Sequence, residues 1–429
     1  MKQSVLQRTP SSRWRAAFAL SSALALAALL VPSVETPARA ATGDYVLHAG
    51  RVITADGKVF EKGGSVLVSG GRIEDVREGY VNPWGAEVRE YKKHWLLPGF
   101  VEAHSQGGLE AANERAPNTP FVSVLDGVDP LSSYFEDLLR EGVTTVLVIP
   151  GDQTLLGGQG LVLDPVGRTV EEMIVARDGG LKVALTPRRG TSRMAQFAEL
   201  RRTFEATRVS EGSRALRDPD SDERDPRSKS VGRLLAGELR AVFACGEPVD
   251  VANALKLQKN YKLRGLFMLG SDCARAIPLI VKNKLSVVLP TDLEPLERDP
   301  ETGKERRRQL AREFDAAGIP LILHANERSS YGERSLWYQA ARAVAQGVDR
   351  KKALAAITAN PAKALGVDKR VGKVAKGLDA NLVLWTGDPL SGTAWVDHVF
   401  VEGEHVYERS KDRKLARLIR GAGDNEEDR

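Results

Sequence analysis

Two textures of apolar and polar residues alternate along the 429-residue chain. Near the start, Tyr45-Val46-Leu47-His48, Arg51-Val52-Ile53, Ser65-Val66-Leu67-Val68 and Arg72-Ile73 are short strand-like runs, separated by turn residues such as Gly70-Gly71. The same texture returns in residues 381–385 and in His398-Val399-Phe400-Val401. A Glu402-Gly403 turn then leads into His405-Val406-Tyr407. Strands at both ends predict a small discontinuous β-sandwich made of residues 41–97 and 367–408. The middle differs. Short apolar runs at 99–103, 144–149, 181–185, 241–244, 265–269, 286–289 and 320–323 alternate with helical stretches such as 249–263, 306–317 and 336–346. This repeat predicts an α/β fold, a (β/α)8 TIM barrel over residues 98–366, with an eighth strand hidden from the pattern. Residues 208–230 are dense in charge and predict a surface loop. Residues 409–429 predict a flexible tail.

The first forty residues stand apart. Lys2, Arg8, Arg13 and Arg15 precede an apolar run over 16–31, and Ala38-Arg39-Ala40 puts small residues where a signal peptidase reads. The pattern predicts a signal peptide cleaved after Ala40 and export to the periplasm or beyond. The run falls short of the about 20 apolar residues a membrane span needs, so no membrane association is expected after cleavage. The net charge of +5 shrinks accordingly: residues 1–40 carry five basic residues and one acidic residue, which leaves +1. That balance argues against nucleic acid as a partner. Two cysteines, Cys245 and Cys273, exclude a disulfide scaffold. They follow adjacent strands, so a single bridge and two separate buried thiols both remain open.

The chemistry-bearing motifs begin at Leu97-Pro98-Gly99-Phe100-Val101-Glu102-Ala103-His104-Ser105-Gln106. This segment resembles the first barrel strand of the metal-dependent amidohydrolase superfamily. The likeness continues in order through Glu141-Gly142-Val143-Thr144-Thr145-Val146 and Gly157-Gly158-Gln159-Gly160 with residues 167–173, which resemble the imidazolonepropionase-like branch. Residues 355–366 look like the last barrel helix, and residues 372–383 look like the return into the sandwich. The resemblance implies hydrolysis of non-peptide C–N bonds by one or two divalent metals at the barrel mouth. There the metal lowers the pKa of a bound water, and an Asp ending strand eight takes its proton.

The sequence departs from that pattern at most ligand positions. His104-x-Gln106 replaces His-x-His, the fifth strand ends Ala244-Cys245-Gly246, and the sixth ends Met268-Leu269-Gly270. In the eighth, His324-Ala325-Asn326 offers an amide in place of the catalytic Asp, and an amide cannot act as a carboxylate base. Of six histidines only His104 and His324 lie in the barrel segment. His104 and Gln106 are the degenerate metal positions. Lys182 stands where some relatives carry a carboxylated lysine, or pairs with an acid in the cleft. Cys245, Cys273 and His324 are further cleft candidates, and Arg188-Arg189 either meets an anionic ligand or is a solvated loop. The expected cofactor is none, or a weakly bound divalent metal with zinc foremost. The sequence therefore predicts a catalytically impaired member of the family that binds a small molecule, or that forms a homo- or hetero-oligomer with an active paralogue. A working C–N hydrolase with an atypical metal site and a structural exported protein are the alternatives.

Overall fold

The computed structural model describes residues 44–54, 57–217, 225–298, 301–325 and 334–420. The signal segment over 1–40 and Asn326 lie outside the described residues.

The strands of the two chain ends pair into one sheet of eight. Tyr45–Ile53 runs antiparallel to Gly64–Ser69 and parallel to Glu87–Pro98. The last four residues of Glu87–Pro98 also pair with Leu382–Trp385, and the hairpin Val396–Val401 and Glu404–Glu408 follows. One continuous sheet therefore stands where a two-layer sandwich was expected. The cause is the 12-residue length of Glu87–Pro98, enough to join the N-terminal strands to the C-terminal ones. Its sequence hid it: charged residues at Glu87, Arg89, Glu90, Lys92 and Lys93 mask the run. Alternate residues of the sheet, among them Leu47, Val66, Val68, Leu382 and Leu384, form one apolar cluster.

Phe100–Ser105 starts a second system and runs parallel to Val143–Val148. Leu181–Ala184, Ala241–Cys245, Gly265–Leu269 and Val287–Val288 form a parallel row. Between Val143–Val148 and Leu181–Ala184 lies the strand the pattern concealed. Leu161–Leu163 pairs antiparallel with the first of these, and Leu156–Gln159 pairs antiparallel with the second. Gly157, Gly158 and Gly160 break its apolar run, so it reads as a loop. Residues 320–323 carry no strand, and strand pairing alone does not close a ring. Single backbone bonds span that side: Leu289 to Ile322 (2.9 Å), Leu323 to Ala356 (3.0 Å) and Val101 to Ile357 (2.8 Å). Side chains sort by alternation. Val101, Ala103, Leu147, Val162, Val242, Met268 and Ile322 share one cluster. Phe100, Val146, Phe243 and Phe267 join the helices in another.

Two expectations about flexible segments change. Residues 208–217 are not a loop: helix Arg193–Arg217 runs through them, with Arg208 pairing to Glu205 one turn back. A second helix, Pro226–Leu235, starts on the Asp225 cap, whose carboxylate accepts from the Arg227 and Ser228 amides. Of the expected tail, the described part over 409–420 is anchored, because buried Asp412 accepts from Arg140 Nε at 2.7 Å just before helix Arg413–Arg420, and residues 421–429 lie outside the described residues.

The glycine of the Pro98-Gly99-Phe100 motif has a packing reason. A Cβ on Gly99 would overlap the Thr144 side chain of the neighbouring strand. Gly99→Ala is expected to cost about 1–3 kcal/mol, the usual penalty of overpacking. A urea titration giving the parental midpoint would contradict this.

Candidate functional site

Parallel strands end on a common side, and their ends are where an α/β wall presents chemistry. His104, the fifth residue of Phe100–Ser105, is buried. Lys182 is the second residue of Leu181–Ala184 and is fully buried. Gly157 leaves room for its stem, since a Cβ there would lie 3.1 Å from the Lys182 Cβ. The Lys182 Nζ donates to His104 Nε2 at 2.8 Å and to Asp152 Oδ1 at 2.7 Å. An ammonium has no acceptor, so His104 Nε2 carries the lone pair and its proton sits on Nδ1. Burial first, then the adjacent Lys182 charge, pushes the His104 pKa well below its ordinary value. Asp152 is half exposed at the mouth. Burial raises its pKa, but the adjacent Lys182 charge and its hydrogen bond outweigh that and hold it at about 2.

His324 completes the group. Its ring stands edge-on to His104, with centroids 5.5 Å apart. Burial pushes its pKa down to about 4, and its Nδ1 is buried without a hydrogen-bond partner. Glu102 ties the two histidine segments together: its carboxylate accepts from the His104 amide at 3.0 Å and the Ala325 amide at 2.9 Å.

Three of the sequence candidates, His104, Lys182 and His324, thus meet at one place. Gln106 lies just past its strand, half-buried, and its carbonyl accepts from the Leu109 amide at 3.3 Å. Cys245 and Cys273 form their own buried pair, both free, with Cys273 Sγ donating to the Cys245 carbonyl at 3.1 Å. Burial raises Cys245 well above its ordinary pKa and Cys273 to about 12, which leaves both as inert thiols. Sequence reasoning missed Asp152. It follows the end of strand Val143–Val148 in a Pro150-Gly151-Asp152 turn, and an acid in a turn after a barrel-like strand was the available signal.

The donors do not suit a divalent metal in the family manner. A catalytic zinc takes about three protein ligands. Here the Lys182 ammonium already holds the His104 lone pair and the Asp152 carboxylate, so a metal would first have to displace it from both donors. Outside this group opens a cleft of about 740 Å³, lined by Asn113, Glu114, Arg115, Asp152, Thr186, Arg188 and Arg189 among others. Arg188 is anchored by its amide to Gln196 Oε1 at 2.8 Å and by its guanidinium to the Arg115 carbonyl at 3.4 Å.

The model of the Amidohydrolase family matches residues 249–406. A solved structure of an amidohydrolase from Thermotoga maritima MSB8 is 26% identical and superimposes with a TM-score of 0.77, covering 85% of this chain and 100% of that one. Amidohydrolase tasK of Hapsidospora irregularis is 23% identical over 395 residues, which are 79% of this chain and 39% of that protein. The chain thus spans about two fifths of the length of that curated relative. A Xaa-Pro dipeptidase with bound methionine shares the fold, at 15% identity, a TM-score of 0.50, and coverage of 85% of this chain and 100% of that one. Residues 249–406 thus carry an Amidohydrolase family domain, and the chain as a whole is similar to proteins named amidohydrolases.

Proposed function

We propose that this protein is an exported, non-hydrolytic amidohydrolase-family member whose cleft binds a small molecule carrying an anionic group. The observation that carries the reading is the Lys182 ammonium held between His104 and Asp152. An ammonium neutralised by Asp152 then stands where the family resemblance implies a metal. A paired ammonium neither lowers the pKa of a water as a metal does nor polarises a carbonyl as strongly. Asn326 in place of the family Asp removes the general base as well, a loss of about 10²–10⁴-fold. Arg115, Arg188 and Arg189 on the cleft wall supply the charge and the planar donors that suit a carboxylate.

The alternation of the inner cluster and the three bridging backbone bonds support a distorted (β/α)8 barrel over 98–366. The signal pattern of residues 1–40 supports export. Residues 41–97 and 367–408 would form the composite second domain. Assembly with a second copy or with an active paralogue fits the same reading. A working C–N hydrolase is the competing reading. The names of the relatives favour it, and so does the unpartnered His324 Nδ1.

The test uses the mature protein with a panel of N-acyl amino acids and cyclic amides, each with added zinc and with chelator. The expected result is no chelator-sensitive turnover, together with a thermal shift by a subset of the carboxylates that Arg188→Ala removes. Zinc-dependent turnover abolished by chelator would overturn the reading in favour of the hydrolase.

A further inference from the structure

The terminal sheet gathers the histidines that the cleft does not use. Val396–Val401 and Glu404–Glu408 form a tight hairpin, closed by Glu402 and Gly403 at φ 48° and 78°. Its register sets His398 opposite Glu408 and Phe400 opposite His405. This pairing brings His398 Nδ1 within 3.1 Å of His405 Nε2. One ligand atom each from His398, His405 and Glu408 lies within 4.8 Å of the other two.

We propose that His398 Nδ1, His405 Nε2 and the Glu408 carboxylate form a binding site for a first-row divalent cation, zinc foremost, separate from the cleft.

Four features carry it. The first is distance: two nitrogens bound to zinc at about 2.0–2.1 Å in a tetrahedron lie about 3.3 Å apart, and these stand at 3.1 Å. The second is donor type, since two imidazoles and one carboxylate leave a water position on a borderline-soft ion. The third is the surrounding shell. Coordination through Nδ1 puts the His398 proton on Nε2, which faces Asp397 Oδ2 at 3.6 Å. That same oxygen is hydrogen-bonded to His94 Nε2 at 2.7 Å, so a carboxylate lies close enough to reach the ligating imidazole after a small side-chain rotation. The fourth is preorganisation. All three ligands sit on one hairpin, and the His405 ring stacks on Phe400 with centroids 4.7 Å apart at 17°. Tyr91 packs against His398 at 4.7 Å. The metal-free hairpin holds its charge otherwise, with Glu408 bonded to Lys411 Nζ at 2.8 Å and to Ser410. Binding therefore exchanges a surface ion pair, worth little in water, for a carboxylate–metal bond.

The site would clamp the last two strands of the sheet. Zinc is titrated calorimetrically into the chelator-treated full-length mature protein at pH 7.5, alongside His405→Ala, His398→Ala and Glu408→Gln. The expected result is one zinc per chain at this site, with binding weakened at least tenfold by His405→Ala and by His398→Ala and less by Glu408→Gln. Zinc should also raise the melting temperature of the parent, and that gain should disappear in His405→Ala. His405 is exposed, so its replacement leaves the metal-free melting temperature near the parental value and keeps the test valid even if His398→Ala unfolds. Parental zinc affinity in His405→Ala, or no zinc bound by the parent, would overturn the proposal.

Discussion

Asp152→Ala is expected to lose about 2–3 kcal/mol of stability at pH 7, while Lys182→Met loses less. The asymmetry follows from where each charge sits. Lys182 is fully buried and Asp152 is 51% exposed. Removing the carboxylate leaves an ammonium in the interior with only the His104 lone pair as partner. Stranding one member of a fully buried pair costs about 3–5 kcal/mol. Solvent already screens Asp152, so the figure is discounted here. Removing Lys182 instead leaves an anion that water can reach. The double variant should accordingly be more stable than Asp152→Ala alone, since no stranded charge remains. Urea titrations of the four proteins at pH 7 measure this. Additive losses, or a parental midpoint for Asp152→Ala, would show that the pair does not form.

Asp164→Asn is expected to change how stability depends on pH between about 4 and 8. Asp164 is buried and accepts from Thr145 Oγ1 at 3.1 Å and Asn381 Nδ2 at 3.4 Å, at the contact between the strand wall and the terminal sheet. Burial, helped by the Glu402 carboxylate, pushes its pKa from 3.8 up to about 8. The folded state therefore holds a proton that the unfolded chain has released. That contribution is complete below about pH 4 and is lost as pH rises through about 8. The shift corresponds to an upper limit on the order of 5 kcal/mol. An asparagine keeps a carbonyl to accept both hydrogen bonds and carries no charge. The variant should match the parent near pH 4 and exceed it by several kcal/mol at pH 9. Parallel denaturation profiles at pH 5 and pH 9 would contradict the assignment.

Much of this architecture is legible in the sequence where side chains point to one consistent environment. The wall strands at Val143–Val148, Ala241–Cys245 and Gly265–Leu269 are buried throughout or nearly so, and they read as unbroken apolar runs. The motif around Gly99 and His104 places the first wall strand and its histidine. Strands whose chemistry serves two purposes are harder to see. Glu87–Pro98 exposes its first half and buries its last three residues, so it shows no single period. Leu156–Gln159 keeps glycines because Lys182 and the neighbouring backbone approach closely. Residues 208–217 look like a loop by charge, yet oppositely charged neighbours one turn apart make that charge compatible with a helix. At the site, the sequence named His104, Lys182 and His324 but not their geometry. Asp152 carries no periodic signal, and the partner of Lys182 is fixed only when two loops and two strands come together. The six histidines pointed away from a complete family metal site. Three of the four outside the wall, His94, His398 and His405, meet one another, and that meeting depends on strand register, which is not visible in composition.

Anomalous X-ray diffraction at the zinc edge tests most directly whether the Lys182 ammonium stands where the family resemblance implies a metal. Crystals of the mature protein would be soaked in zinc. Continuous density is expected from Lys182 Nζ to both His104 Nε2 and Asp152 Oδ1, with no anomalous peak in the cleft, whatever binds at the terminal hairpin. An anomalous peak within about 2.1 Å of His104 Nε2, with Lys182 turned away or carboxylated, would contradict it.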